Sequence, residues 1–185
     1  MDLSGVLLAR HGETNDNVAP LRFQGFTDTP LNDTGRRQAA ELAEKVAARA
    51  APIASLWSSD LSRARETAEI VGRRIGLTPT LDARLREGAR GRWEGHLFQE
   101  IERTEPQRYA AWQRAGAGFR FPGGESLLDQ QLRVTQALRE IHAGPAPALV
   151  VCHGGSIRVM LCRSDPRGLA AFHQFEVPNV AVVTL

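Results

Sequence analysis

Five side chains in this sequence have the types to act together on an anion: Arg10, His11, Arg63, Glu87 and His153. A neutral imidazole beside fixed cations suits an anionic, electrophilic substrate, and a phosphate monoester is the simplest such group. Two histidines and two arginines gathered at one point repel one another unless an anion sits among them, so the cluster reads as a phosphate pocket. His11 could attack phosphorus to give a phosphohistidine, which splits a hard hydrolysis into two easier steps. Arg10, Arg63 and His153 would hold the equatorial oxygens as charge shifts in the transition state. Glu87 is the candidate to protonate the leaving oxygen and later to take a proton from water. That role requires partial burial to raise its pKa.

These residues lie far apart in sequence, so the fold must converge them. Val6-Leu7-Leu8-Ala9 is a short apolar run ending in Arg10-His11-Gly12, which reads as a buried strand with chemistry at its carboxyl end. Gly12 marks a place where backbone must come close to something. Ile53 to Trp57 is a second strand ending in Ser58 to Arg63, and Ala148 to Cys152 is another, ending in His153-Gly154-Gly155. The carboxyl edge of a parallel sheet is where open α/β folds bind ligands, so the three strand ends share one crevice. A polar, turn-rich segment from Asn15 to Asp33 is long enough to be functional. Helices are expected from Asp33 to Ala50 with Asn32 as N-cap, and from a cap at Ser59 to Arg74. Others are expected over Phe98 to Gln113 with a break at Pro106, over Glu125 to His142 with Leu128, Leu132, Leu138 and Ile141 inward, and over Ile157 to Cys162. Arg63 then falls in a first helical turn, where a cation opposes the helix dipole and signals a nearby anion. Further strands are expected at Thr78 to Leu85, Phe172 to Val177 and Val180 to Leu185. The alternation of strands and helices predicts one α/β domain over residues 1–185, a three-layer α/β/α sandwich with a mainly parallel central sheet.

Composition narrows the function classes. The chain has 185 residues, 42% hydrophobic and 24% charged, ordinary for one globular domain. Its formal net charge of +2 gives no argument for nucleic acid. Lys45 is the only lysine among 23 basic residues, so an anion pocket must be built from arginine, whose planar fork grips oxyanions bidentately. Cys152 and Cys162 are too few for a disulfide scaffold and lack metal-ligand spacing. No apolar stretch approaches the ~20 residues needed to span a membrane. Arg10 and His11 come before a signal-peptide core could form, and the expected location is the cytoplasm.

Six motifs together resemble the histidine phosphatase superfamily in its phosphoglycerate-mutase-like branch. They are Leu8 to Thr14 with Asn17; Arg22-Phe23-Gln24-Gly25 with Asp28 to Leu31 and Gly35; Ser58 to Ala64 with Thr67-Ala68; Leu85-Arg86-Glu87 with Gly91 and Trp93-Glu94-Gly95; Pro122 to Ser126; and Val151 to Gly155 with Ile157-Arg158. The resemblance covers Leu3 to Leu185. It implies a phosphoglycerate mutase-like fold, His11 as the phosphorylated nucleophile, Arg10, Arg63 and His153 as the phosphate cage, and Glu87 as proton donor. It implies that Glu13, Thr14, Asn17, Gln24, Gly25 and Gly154 contribute to the substrate pocket, with no metal and no cofactor. Mutases of the family follow the donor glutamate with Arg-His-Tyr and carry extra substrate-covering segments. This chain has Glu87-Gly88-Ala89-Arg90 and is shorter. Those departures favour a phosphatase acting on a small phosphate ester and resembling the α-ribazole-phosphate and broad-specificity phosphatases.

Other readings compete. Cys152 to Arg158 satisfies the C-x5-R pattern of cysteine-dependent phosphatases, but that reading leaves Arg10, His11 and Arg63 unused. Cys152 is instead read as a packed strand thiol and Arg158 as orienting its loop. His153-Gly154-Gly155 resembles an esterase oxyanion loop, yet no G-x-S-x-G elbow exists in the chain. No Gly-Lys-Ser/Thr follows Gly123-Gly124 to make a Walker loop. Arg90 and Arg92 are read as a solvated loop, and His96, His142 and His173 as surface or internally satisfied. A mutase and a non-catalytic phosphate binder remain as alternative functions.

Overall fold

A computed structural model describes residues 2–185. Its centre is a five-stranded sheet of β1 (Val6–Arg10), β2 (Ser55–Ser58), β3 (Thr80–Leu81), β4 (Ala148–Cys152) and β5 (Val182–Thr184). The strand order is β3-β2-β4-β1-β5, parallel except for β5, which runs antiparallel to β1. The helices are α1 (Asp33–Ala47), α2 (Ser62–Ile75), α3 (Phe98–Thr104), α4 (Pro106–Arg114), α5 (Leu127–His142) and α6 (Gly154–Leu161). Among the described residues, no helix is long and apolar enough to cross a membrane.

Side chains alternate across a strand, and here the alternation divides the core in two. Val6, Leu8, Ala148, Val150 and Cys152 pack with Val134, Ala137, Leu138 and Ile141 of α5 and with Ile157 and Met160 of α6. Leu7, Ala9, Leu56, Leu149 and Val151 face the other way, against Leu42, Ala43 and Val46 of α1 and Ala64, Ala68 and Val71 of α2. The result is the expected α/β/α sandwich. A third cluster lies apart from the sheet's two faces: Phe23, Trp93, Trp112 and Phe121 pack ring to ring, joined by Phe172 and by Phe98 and Ile101 of α3.

Several expected elements differ in detail. The third strand shrinks to Thr80–Leu81, because Asp82 accepts a hydrogen bond from the Arg84 backbone N–H and starts a 3-10 turn over Ala83–Leu85. Phe172 is part of a 3-10 helix, Gly168–Gln174, that buries its ring in the aromatic cluster, so only Val182–Thr184 forms a final strand. Leu128 and Leu132 are exposed, while α5 buries Leu127, Gln130, Val134 and Leu138. α5 begins at Leu127 behind a Ser126–Asp129 capping box rather than at Glu125. α2 begins at Ser62 and not behind Ser59. Its cap comes from outside the helix, where Asp28 Oδ1 accepts the Ser62 backbone N–H at 2.6 Å. The close approach at Gly12 is to the start of α1: a Cβ on Gly12 would collide with the Gly35 carbonyl, and one on Gly35 with backbone of Glu13.

Candidate active site

The sheet register places the two histidines. Arg10 of β1 pairs with Cys152 of β4, so the next residues, His11 and His153, emerge side by side at the carboxyl edge. Their rings lie 5.2 Å apart, edge to face, both buried. His11 Nδ1 stands 2.6 Å from the Gly12 carbonyl oxygen. A carbonyl can only accept, so Nδ1 carries the proton and the Nε2 lone pair is left to react. Burial, then the charges of Arg63 and Arg10, hold the His11 pKa well below its ordinary value. The ring is neutral at physiological pH, as a nucleophile must be.

β2 pairs with β4 so that Ser59 follows Ser58 into the same edge, and its hydroxyl lies 2.9 Å from His153 Nε2. Ser59 Oγ accepts the Leu61 N–H and keeps both a proton and a second lone pair for His153 Nε2. His153 Nδ1 is buried with no partner, free to donate to an anion in the tautomer that takes the Ser59 proton at Nε2. Arg63, in the first turn of α2, is fully buried. Its Nη atoms donate to the carbonyls of Gly25 at 2.9 Å and Thr27 at 2.8 Å, leaving Nε unpaired. Arg10 donates through Nη1 to the Val177 carbonyl at 2.6 Å, and its Nε is also unpaired. Asn17 Nδ2 is a further buried donor without a partner. Buried donors are ordinarily satisfied, and leaving several together is costly. An oxyanion bound at this edge would give such donors a partner. Burial lowers the Arg63 pKa to about 10, which still keeps the guanidinium charged.

Glu87 sits in the loop after the Ala83–Leu85 turn. Its carboxylate accepts from the backbone N–H groups of Gly88 at 2.9 Å and Gly155 at 3.0 Å, and from Gln130 Nε2 at 2.9 Å. A Cβ on Gly155 would collide with that carboxylate, so the glycine permits the approach. Burial pushes the Glu87 pKa up, as the donor role requires. The Arg90 guanidinium 3.3 Å away and the three hydrogen bonds more than reverse it, to about 2. With no phosphate beside it, Glu87 is therefore an ionised carboxylate.

A cavity of about 370 Å³ opens onto this edge, walled by Arg10, Asn17, Gln24, Glu87, Arg90, Arg158 and aromatic rings of the third cluster. The model of the histidine phosphatase superfamily (branch 1) matches residues 6–185. The chain belongs to this superfamily. Among its relatives, phosphoglycerate mutase-like protein 4 of Arabidopsis thaliana is 38% identical over 171 residues, covering 90% of this chain and 73% of that one. A glucosyl-3-phosphoglycerate phosphatase of Mycobacterium tuberculosis (strain CDC 1551 / Oshkosh) is 36% identical over 165 residues, covering 84% and 72%. The native structure of a mycobacterial glucosyl-3-phosphoglycerate phosphatase superposes with a TM-score of 0.84 at 32% identity, covering 96% of this chain and 87% of that one.

Within this member of the superfamily, Arg10, His11, Arg63, Glu87 and His153 converge as expected. Asn17, Gln24, Gly25 and Gly154 line the cavity. Thr14 is buried behind Gln24, whose amide donates to the Thr14 hydroxyl, so Thr14 positions a wall residue. Glu13 does not reach the cavity: its Oε1 accepts from Asn32 Nδ2 at 2.9 Å at the start of α1. Arg90 corrects a second expectation. It is no solvated loop residue but is buried, 4.5 Å over the Phe121 ring. Arg92, its neighbour, is exposed. His173 Nε2 lies 2.9 Å from the Trp112 carbonyl oxygen. A carbonyl fixes that nitrogen as the donor, and the ring joins the cavity wall. Cys152 is buried and its thiol is pushed up to about 12, so it stays protonated and offers no thiolate for the C-x5-R reading.

The two neutral histidines tie stability to pH. Both pKa values are lowered by burial first, with Arg63 next, so unfolding below pH ~6.5 takes up protons that the native state refuses. The stabilisation is complete above the unfolded value and is lost as pH falls from it. For the pair the slope approaches about 3 kcal/mol per pH unit. Urea unfolding between pH 7 and pH 5 should show this loss; a flat profile would mean that the rings are charged.

Proposed function

We propose that the protein is a metal-independent phosphomonoesterase that hydrolyses a small phosphorylated metabolite through a phosphohistidine on His11. The observation that carries the reading is that Arg10 Nε, Arg63 Nε, His153 Nδ1 and Asn17 Nδ2 are buried without partners, while burial and the Arg63 and Arg10 charges keep His11 neutral. In the first step His11 Nε2 attacks phosphorus and the P–O ester bond breaks. The leaving oxygen takes a proton from Glu87. In the second, Glu87 takes a proton from water, the oxygen attacks phosphorus, the P–N bond breaks and phosphate leaves.

Glu87 obtains its first proton with the substrate. A phosphate dianion beside the carboxylate disfavours its ionised form, and the guanidiniums turn toward the new charge. The protonated state needed for the first step is thus created by binding. Positive charge comes from guanidiniums, which supports a reaction without metal; among the described residues no three His, Cys, Asp or Glu side chains group as metal ligands. Two buried free thiols support a reducing, cytoplasmic location.

A mutase is the second reading, favoured by the Arabidopsis relative. The test is p-nitrophenyl phosphate and a phosphometabolite panel with EDTA present. The expected result is phosphate release undiminished by EDTA. Interconversion of 2- and 3-phosphoglycerate faster than phosphate release would make the protein a mutase, and no turnover on any ester would favour a phosphate binder.

A further inference from the structure

The proposed mechanism asks one carboxyl group to give a proton and then to take one, and its two oxygens are not equivalent. Glu87 Oε1 accepts from the Gly88 backbone N–H at 2.9 Å, from Gln130 Nε2 at 2.9 Å and from Arg90 Nη2 at 3.3 Å. Among the described residues, Oε2 accepts only from the Gly155 N–H, at 3.0 Å. A carboxylate oxygen offers about two lone pairs. Three donors leave Oε1 no room for a proton, whereas Oε2 has a lone pair to spare.

Gln130 sets this asymmetry. It lies on α5 three residues after Leu127 and four before Val134, on the face turned to the core, and is fully buried. Its amide is locked in one orientation. The Arg86 carbonyl can only accept, so its 2.9 Å contact uses the one proton of Ser156 Oγ. Ser156 must therefore accept from Gln130 Nε2, at 3.1 Å, and the second hydrogen of that nitrogen goes to Glu87. The amide oxygen lies on the Arg90 side: a Cβ on Gly88 would collide with both Gln130 Oε1 and Arg90 Nη1. A reversed amide would set N–H against a guanidinium and an oxygen against a lone pair of Ser156. Gln130 Oε1 has no hydrogen-bond partner, a cost that an apolar residue here would avoid. The contact with Glu87 accounts for it.

We infer that Gln130 is a positioning residue of the reaction, holding Glu87 Oε1 as a fixed acceptor so that Oε2 alone carries the transferred proton. In the first step the Oε2–H bond breaks as the leaving ester oxygen takes the proton, and the electron pair stays on Oε2. In the second step Oε2 takes a proton from water. The locked N–H would meet any proton on Oε1 head-on, so the two oxygens cannot exchange roles. The inference rests on the phosphatase reading above, and its test tells the failure of one from the failure of the other.

Gln130→Met keeps the length of the side chain and removes its donor. It is compared with the unsubstituted protein, and again in the Glu87→Gln background, on two esters. One is an alkyl phosphate that the unsubstituted protein turns over, whose leaving oxygen needs a proton. The other is p-nitrophenyl phosphate, whose leaving group does not. On the alkyl phosphate kcat should fall on the order of tenfold or more, the scale of a lost hydrogen bond to a charged group, with KM little changed. The nitrophenolate burst should slow much less. In Glu87→Gln, adding Gln130→Met should cost little further, because the proton carrier is already gone. Ser156→Ala, which frees the amide to turn, should move the two esters apart in the same direction. It carries the comparison if a thermal melt shows Gln130→Met unfolded. An unchanged kcat, an equal loss on both esters, or the same loss with and without the Glu87 carboxylate would overturn the inference and leave the phosphatase reading standing. An unsubstituted protein that turns over no alkyl phosphate would overturn the proposed reaction, and the inference with it.

Discussion

His11→Ala is expected to lower phosphate release on the order of 10⁴-fold or more, the scale seen when a covalent nucleophile is removed. The loss should appear in kcat, because the proposed phosphate cage of Arg10, Arg63 and His153 is left standing. The geometry of His11 supports the proposed role. Its Nδ1 is occupied by the Gly12 carbonyl, and the Arg63 and Arg10 charges keep the ring from protonating. No other group in the cluster can substitute. His153 Nε2 is taken by Ser59, and the Cys152 thiol is buried with its pKa raised to about 12. Stopped assays on His11→Ala with a sensitive phosphate reporter check this. Retention of more than about a tenth of the activity would remove His11 from the nucleophile's place.

Glu87→Gln carries the second large effect, because the proposed mechanism uses Glu87 in both steps. Loss of general acid–base help costs on the order of 10²–10⁴ in rate. The loss should depend on the leaving group. An alkyl phosphate needs its leaving oxygen protonated, whereas p-nitrophenolate leaves without a proton. With p-nitrophenyl phosphate the variant should therefore still phosphorylate His11 and then stall, since water lacks its base. A burst of one nitrophenolate per protein, followed by slow turnover, is the expected trace. The pH sign follows from the free carboxylate, whose pKa of about 2 leaves it unprotonated across the working range. If phosphate binding raises that value, binding must take up protons from solvent near neutral pH. Calorimetry of inorganic phosphate binding in buffers of different ionisation enthalpy measures the uptake. The uptake should be larger for the protein that carries Glu87 than for the Glu87→Gln variant. Identical uptake would mean that Glu87 does not receive the proton.

Much of the site was legible because its chemistry stands at strand ends. β1 and β4 are short runs buried on both faces, and parallel pairing of two such runs puts His11 beside His153 whatever lies between. What the sequence concealed was the second layer of support. Gln130 is polar at a position where helical periodicity favours an apolar residue. It is fully buried because it serves Glu87 and Ser156, and this rotates α5 so that Leu128 and Leu132 face solvent. Arg90 looks like any charged loop residue until the fold lays it over Phe121 and against Glu87. The aromatic cluster joins residues from Phe23 to Phe172, too far apart in sequence for periodicity to link. Glu13 adjoins the strong Arg10-His11-Gly12 signal, but its side chain turns toward Asn32 and steadies the start of α1.

The covalent role of His11 can be tested directly. Protein mixed with a turned-over phosphate ester, quenched within milliseconds in alkali and digested, should carry one phosphoryl group on the peptide containing His11. The label should be stable in alkali, labile in acid, and longer-lived in Glu87→Gln. A label on another residue, or hydrolysis at full rate with no phosphoenzyme at any quench time, would contradict the account.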